Sequence, residues 1–212
     1  MLMTSSFQES LSEESQFYVE ILENMYHSNH IVNIPSGEKV SLSKSYLWLV
    51  VRGVIKIQTL TQDGELSILG LVSRDEVFGQ PLSISNPYEA YALGNCDLLP
   101  ISLIEIEQNP TLSISIFNAL RKTYQQTEML LSIKAIRGME DRIKSLFIFL
   151  AERYGRDYKD GIVIDIRLTH QEIANLLTTT RVTVTRIMSG LKESKWLIIE
   201  RSKYVLKKHS TI

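Results

Sequence analysis

Two arginines stand five residues apart in Thr180-Arg181-Val182-Thr183-Val184-Thr185-Arg186. A guanidinium can donate paired hydrogen bonds to guanine O6 and N7, and a valine can pack on a thymine methyl group. Threonine hydroxyls and the first turn of a helix can hold phosphate oxygens. Arg181, Val182 and Arg186 are therefore candidate base-reading residues for double-stranded DNA. Thr169, His170, Gln171, Thr180, Thr183, Thr185 and Lys203 are candidate contacts to the DNA backbone.

Such chemistry needs elements that hold those side chains on one face. Thr169 and Glu172 have capping-box spacing, which predicts a helix beginning at His170. Ile173, Ala174, Leu176 and Leu177 supply its buried side. Thr180 is a good N-cap for a second helix. There Val184, Ile187, Met188 and Leu191 fall at i, i+3, i+4 and i+7, one apolar back. Val182, Thr185, Arg186 and Ser189 form the opposite front, with Arg181 at its leading end. A short turn between two such helices predicts a helix-turn-helix whose second helix fits the major groove. Leu197–Glu200 and Tyr204–Leu206 flank Arg201-Ser202-Lys203, the pattern of a wing hairpin. Lys203, Lys207 and Lys208 could add non-specific attraction to phosphates.

Charge divides the chain the same way. Residues 137–212 hold 15 Lys+Arg against 9 Asp+Glu, whereas residues 1–136 hold 8 against 15. Only the basic part suits a polyanion. No apolar run reaches the roughly 18 residues of a membrane span, and the acid-rich start before Lys39 does not read as a secretory signal. A soluble intracellular protein is expected. The single cysteine, Cys96, excludes an internal disulfide and reads as a small buried apolar residue. Residues 31–106 contain no histidine. No metal-ligand cluster and no nucleophile–base motif appears, so no catalytic residue is assigned and an enzyme is not expected.

Ahead of the basic part the texture changes twice. Residues 1–30 read as helical, with Phe17, Ile21, Leu22 and Met25 at helical spacing. From 31 to about 106, short alternating runs are broken by turn residues, and Asp63-Gly64 marks a hairpin. About eight strands at this spacing predict a jelly-roll or similar β-barrel. Asn109-Pro110 then opens a long helix. Phe117, Leu120, Tyr124, Thr127 and Leu131 alternate at spacings of three and four, a coiled-coil-like seam. That seam could pack on its own barrel; pairing with a second copy is favoured, because two-fold DNA sites suit two-fold proteins. Gly138 interrupts the helical pattern. Ile143, Leu146, Phe147, Leu150 and Tyr154 then share a face, and Ile162, Ile164, Ile166 and Leu168 alternate as a strand. The expected class is α+β, with a barrel unit over 1–108, a dimerisation helix over 109–137 and a winged helix-turn-helix over 138–212.

In this order, barrel, long helix and winged helix resemble the cyclic-AMP receptor and fumarate–nitrate regulator family. The resemblance covers nearly the whole chain and is strongest over Leu168–Leu191. Within the family, Thr180–Arg186, Gln126-Thr127-Glu128-Met129 and the Val77-Phe78-Gly79 turn are similar to the global nitrogen regulator branch of cyanobacteria and algal plastids. The resemblance implies a homodimeric transcription regulator on a palindrome of the GTA…TAC kind, with RNA polymerase as a partner. It implies residence in a bacterial cytoplasm or a plastid stroma. It also implies an effector pocket near Phe78, Gly79, Gln80 and Glu128. Two departures stand out. The turn before the recognition helix has Thr178 where the family often has glycine. The pocket cassette lacks its cations: Gln80 and Pro81 follow Gly79, no Arg or Lys occurs from 75 to 120, and Thr123 takes the helix position of the second arginine. A buried anion without a cation is badly under-compensated. Neither cyclic AMP nor 2-oxoglutarate is expected to bind in the usual manner. The barrel is then an effector-independent scaffold or the holder of a less acidic ligand. The alternative function is an interaction module that binds a ligand or protein without reading DNA sequence.

Overall fold

The computed structural model describes residues 31–159, 161–200 and 203–207. The helix expected within residues 1–30 lies outside them, as do Arg201, Ser202 and Lys208.

Seven strands form the first part: β1 (Val32–Ile34), β2 (Tyr46–Arg52), β3 (Val54–Leu60), β4 (Leu66–Ser73), β5 (Val77–Phe78), β6 (Glu89–Ala92) and β7 (Cys96–Ser102). They make two sheets, ordered β1-β7-β2-β5 and β4-β3-β6. The arrangement is jelly-roll-like, but the sheets do not join into the closed barrel that the strand spacing suggested. The β3–β4 hairpin turns at Gly64, where φ is 78° and a glycine meets no steric cost. Apolar residues fill the space between the sheets, among them Trp48, Val50, Ile55, Val72, Phe78 and Leu98. Cys96 is buried there, its thiol against the Val54 carbonyl at 3.4 Å. Burial pushes that thiol above the ordinary cysteine range.

A short helix, α1 (Leu103–Gln108), leads into the long α2 (Pro110–Ala135). Asn109 caps α2 by accepting from the Leu112 N–H at 3.1 Å, and Pro110 occupies a first-turn position where no N–H is needed. The helix carries two stripes. Leu112, Ile116, Ala119, Gln126, Leu130 and Ile133 face inward and are buried. Ile114, Phe117, Tyr124 and Leu131 point outward and are each more than half exposed.

That division corrects the predicted seam. Phe117, Tyr124 and Leu131 keep their place on the outer stripe. Leu120 instead packs against the strand core, and Thr127 lines an inner cavity. Arg121 and Glu128 stand in the outer stripe instead, since one residue along a helix turns the side chain by about 100°.

Gly138 caps α3 (Met139–Tyr154), which buries Ile143, Leu146, Phe147, Leu150 and Tyr154. A hairpin follows, β8 (Gly155–Tyr158) with β9 (Gly161–Ile164). The two recognition-unit helices are α4 (His170–Leu177) and α5 (Arg181–Glu193). The last hairpin is β10 (Leu197–Glu200) with β11 (Lys203–Lys207). β11 joins both hairpins into one sheet, ordered β10-β11-β9-β8. The strand expected to reach Leu168 ends at Ile164, where the Asp165 N–H turns to the Tyr154 carbonyl.

A single apolar cluster spans the recognition unit and the strands before it. Val54, Ile68 and Leu71 pack in one core with Leu130, Ile133, Phe147, Ile173, Leu177 and Val184. Polar contacts cross the same boundary. The Tyr154 hydroxyl donates to the Leu71 carbonyl at 3.1 Å. Arg153 pairs with the buried Glu76, which also accepts from the Ser73 N–H at 2.6 Å. Lys56 on β3 meets Glu172 on α4 at 2.7 Å. Among the described residues no helix is long and apolar enough to cross a membrane.

Candidate nucleic-acid interface

The capping box forms as its spacing predicts. The Thr169 hydroxyl accepts from the Glu172 N–H at 3.2 Å, and the Glu172 carboxylate accepts from the Thr169 N–H at 2.9 Å. Glu172 thus has two tasks, because Lys56 reaches it from the strands. These hydrogen bonds and the Lys56 charge hold its carboxyl below the usual range, against the opposing effect of burial. Ile173, Ala174, Leu176 and Leu177 are buried on α4.

The turn is tight because Thr178 adopts the left-handed conformation, φ 55° and ψ 56°. Its N–H and that of Thr179 both return to the Ala174 carbonyl. The threonine that stands where the family often has glycine therefore takes the left-handed geometry itself. Thr180 then caps α5 by accepting from the Thr183 N–H at 3.2 Å.

On α5 the back is buried through Val184, Ile187, Met188 and Leu191. The front stands free: Arg181, Val182, Thr185, Arg186 and Ser189 are all exposed, Val182 to 77%. The exposed front thus sets one apolar side chain between two guanidinium groups.

The predicted backbone contacts divide into four kinds. Thr169, Thr180 and Thr183 sit at the two helix N-termini, where the helix dipoles favour anions. His170 Nδ1 lies 2.9 Å from the Thr185 hydroxyl and ties α4 to α5. Burial holds His170 below the ordinary histidine range, and the charges of Lys192 and Arg181 add to that effect. Gln171 donates to the Asn175 side chain at 2.8 Å on an exposed face. Lys203, on the wing, pairs with Asp165 at 2.5 Å, and Arg156 holds the other oxygen of that carboxylate at 2.8 Å. The wing lysine thus faces an acid that a phosphate would have to displace.

The residues proposed for the effector pocket separate. Phe78 lines a cavity of about 200 Å³ between the strands and α2. Gly79 packs against Leu47, and Gln80 begins a short 3-10 turn; neither lines the cavity. Glu128 is exposed on the outer stripe of α2, so its assignment to the pocket is corrected. Gln126, two residues earlier, takes the inward position and is buried. Sequence reading missed Gln126, and it missed the Lys56–Glu172 tie. A glycine facing the helix from β4, Gly70, was the available signal for the first. No local pattern signals the second.

Residues 141–210 match the Crp-like helix-turn-helix domain. The global nitrogen regulator of Nostoc sp. is 33% identical over 175 residues, covering 78% of each chain. The regulatory protein CysR of Synechococcus elongatus is 32% identical, covering 76% of this chain and 73% of its own. The chain belongs to the Crp/Fnr family. Its fold agrees with a solved CRP-family regulator from Thermus thermophilus, with a TM-score of 0.72 over 84% of this chain and 92% of that one at 17% identity. It is a DNA-binding transcription regulator of the Crp/Fnr type, and the relatives it matches are transcription regulators.

Proposed function

We propose that this regulator acts as a homodimer on a palindromic DNA site of the GTA…TAC kind. The observation that carries the reading is the exposed front of α5, where Arg181, Val182 and Arg186 stand together off a helix whose back is buried. Those three read bases. Thr169, His170, Gln171, Thr180, Thr183, Thr185 and Lys203 hold the backbone. The outward stripe of Ile114, Phe117, Tyr124 and Leu131 supports pairing of α2 with the same helix of a second copy. Such a dimer sets two recognition helices about 34 Å apart, one per half-site. RNA polymerase is the partner at the promoter, in a bacterial cytoplasm or a plastid stroma. The likeness to two cyanobacterial regulators, one of them named for nitrogen, favours a role in nutrient-responsive transcription and nitrogen in particular.

The effector chemistry differs from that of an anion sensor. No Lys or Arg lines the cavity beside α2. The Thr123 hydroxyl is occupied, since it lies 3.1 Å from the Ala119 carbonyl and accepts from the Val77 N–H at 3.3 Å. Neither cyclic AMP nor 2-oxoglutarate binds there in the manner of an anion held by arginines.

Selection of bound sequences from random DNA, with and without those two metabolites, tests both parts. The expected result is a palindrome whose enrichment neither metabolite alters and whose binding weakens steeply with salt. An asymmetric or absent consensus overturns the dimeric reading. Sub-millimolar binding of 2-oxoglutarate by calorimetry overturns the effector reading.

A further inference from the structure

The wing sheet places one acid between two of its cations. Strand β9 lies between β11 and β8. Its Ile164 pairs with Tyr204 on one side and with Gly155 on the other. Asp165, one residue beyond, therefore falls level with Lys203 and diagonally across from Arg156. Side chains so placed on an antiparallel sheet can meet on one face. They do: Lys203 Nζ donates to one carboxylate oxygen at 2.5 Å, and Arg156 Nε donates to the other at 2.8 Å. Burial opposes ionisation of Asp165, but the hydrogen bonds and charges of the two cations outweigh it and hold its carboxyl below the usual range.

Stability does not explain this arrangement. The three side chains reach solvent, Asp165 to 40%, Lys203 to 43% and Arg156 to 59%, and ion pairs so exposed add little to a fold. Position and chemistry say more. Asp165 stands four residues before Thr169, the cap of α4, in the basic part of the chain. Its two oxygens offer the cations the same charge-assisted hydrogen bonds that a phosphate would. Any attraction of Lys203 or Arg156 to DNA therefore draws on charge that an internal anion already neutralises.

We propose that Asp165 is a specificity-determining residue: its carboxylate stands in for a phosphate and withholds Lys203 and Arg156 from DNA of any sequence. The inference rests on the proposed place of Lys203 at the DNA backbone. Sequence-independent binding is made essentially of phosphate contacts, and it takes whatever register suits the free cations. The specific complex is fixed instead by α5 on the bases, so the wing meets only the phosphate that falls beside it. Neutralising two wing cations thus costs scrambled DNA more than the preferred site. The difference is discrimination, and it comes from a residue that touches no base.

The test titrates the full chain against the selected palindrome and against scrambled DNA of the same length, by fluorescence anisotropy over a salt series. Asp165→Asn keeps the side-chain shape and the backbone N–H bond to the Tyr154 carbonyl, so it should fold as the parent does. Its binding to scrambled DNA should strengthen about threefold to tenfold near 0.1 M salt. The slope of log affinity against log salt should steepen by about one to two, as one or two more phosphates are neutralised. The palindrome should gain less, so the ratio of the two affinities falls. Asp165→Glu, which keeps the charge, should stay near the parent. Adding Arg156→Met and Lys203→Met to Asp165→Asn should cancel the gain. The proposal is overturned if the scrambled-DNA slope is unchanged in Asp165→Asn, if both DNAs gain by the same factor, or if the gain survives in the triple variant. A parent that selects no palindrome would overturn the functional reading instead, and the slope on scrambled DNA would still report whether Asp165 withholds the two cations.

Discussion

The front of α5 and the inner face of α2 are both helix faces with polar groups set against an apolar background, but their environments differ. Arg181 and Arg186 stand in water, where a charge needs no protein partner. Gln126 is buried beside a cavity whose lining side chains carry no charge. An exposed arginine gives up its hydration only on binding. A buried carboxamide has already given it up on folding, so its cost is carried by the protein at all times. The first face can be charged and still be stable. The second has to be neutral.

The largest test of this contrast is removal of the charged face. Arg181→Ala and Arg186→Ala should each cost about 1–3 kcal/mol on the preferred site and relax base preference. The double variant should retain only salt-sensitive, sequence-independent binding. Competition titrations of specific against scrambled DNA at fixed salt read this directly. Either single variant keeping full discrimination would remove the base-reading assignment from that residue. Neither change should alter the melting temperature, because both side chains are exposed.

The inner face should show the reverse. Neither carboxamide atom of Gln126 has a hydrogen-bond partner among the described residues. Gln126→Met removes both buried groups and should stabilise the free protein by about 1–2 kcal/mol. Chemical denaturation would show this as a higher midpoint with an unchanged slope. DNA discrimination in the absence of small molecules should stay as in the parent. A destabilised variant would mean that the carboxamide is already satisfied in the free protein.

The two faces also differ in how far sequence alone revealed them. The helix-turn-helix is local: a capping box, an N-cap threonine and an apolar back all lie within 24 residues, and each appears at its predicted place. On α2 the composition is amphipathic on two sides at once, so spacing alone could not say which side met the strands. The choice fell one residue away, on Leu120 and Thr127 instead of Arg121 and Glu128. The resemblance had put Glu128 at the pocket, and the spacing overlooked Gln126. β8 was unreadable for another reason. Arg156 and Asp157 are polar and exposed, and only pairing with β9 makes the segment a strand. The shared core of Val54, Ile68 and Leu71 with the recognition unit is a product of tertiary packing, which no periodicity encodes.

A smaller effect probes the join between α4 and α5. His170 has a folded-state pKa below its ordinary value near 6.5. The folded protein therefore binds that proton less readily than the unfolded chain does. Stability should fall as pH drops through the ordinary histidine range towards the lower folded value. Phosphates at the same helix N-terminus act in the opposite direction and should raise the value. Imidazole titration by NMR should show a midpoint for His170 below the ordinary value in free protein and a higher one on DNA. An unchanged midpoint would place His170 away from the phosphates and leave it only its bond to Thr185.

The smallest expected effect concerns the turn that aims the charged face. Thr178 holds φ 55° with its side chain exposed. A residue with a Cβ spends about 1–2 kcal/mol in that conformation. Glycine avoids this, but its greater freedom in the unfolded chain returns about 0.5–1 kcal/mol of the gain. Thr178→Gly should therefore stabilise the protein by less than about 1 kcal/mol, seen as a small rise in the denaturation midpoint. Thr178→Ala separates backbone from side chain, because alanine keeps the Cβ and with it the strain. If alanine stabilised as much as glycine, crowding of the threonine side chain rather than the left-handed backbone would be the cause. In either variant the Ala174 carbonyl still receives the N–H groups of residues 178 and 179. α5 should therefore keep its angle and its base preference. A gain in stability without a change in discrimination would mean that the threonine is not what aims the recognition helix.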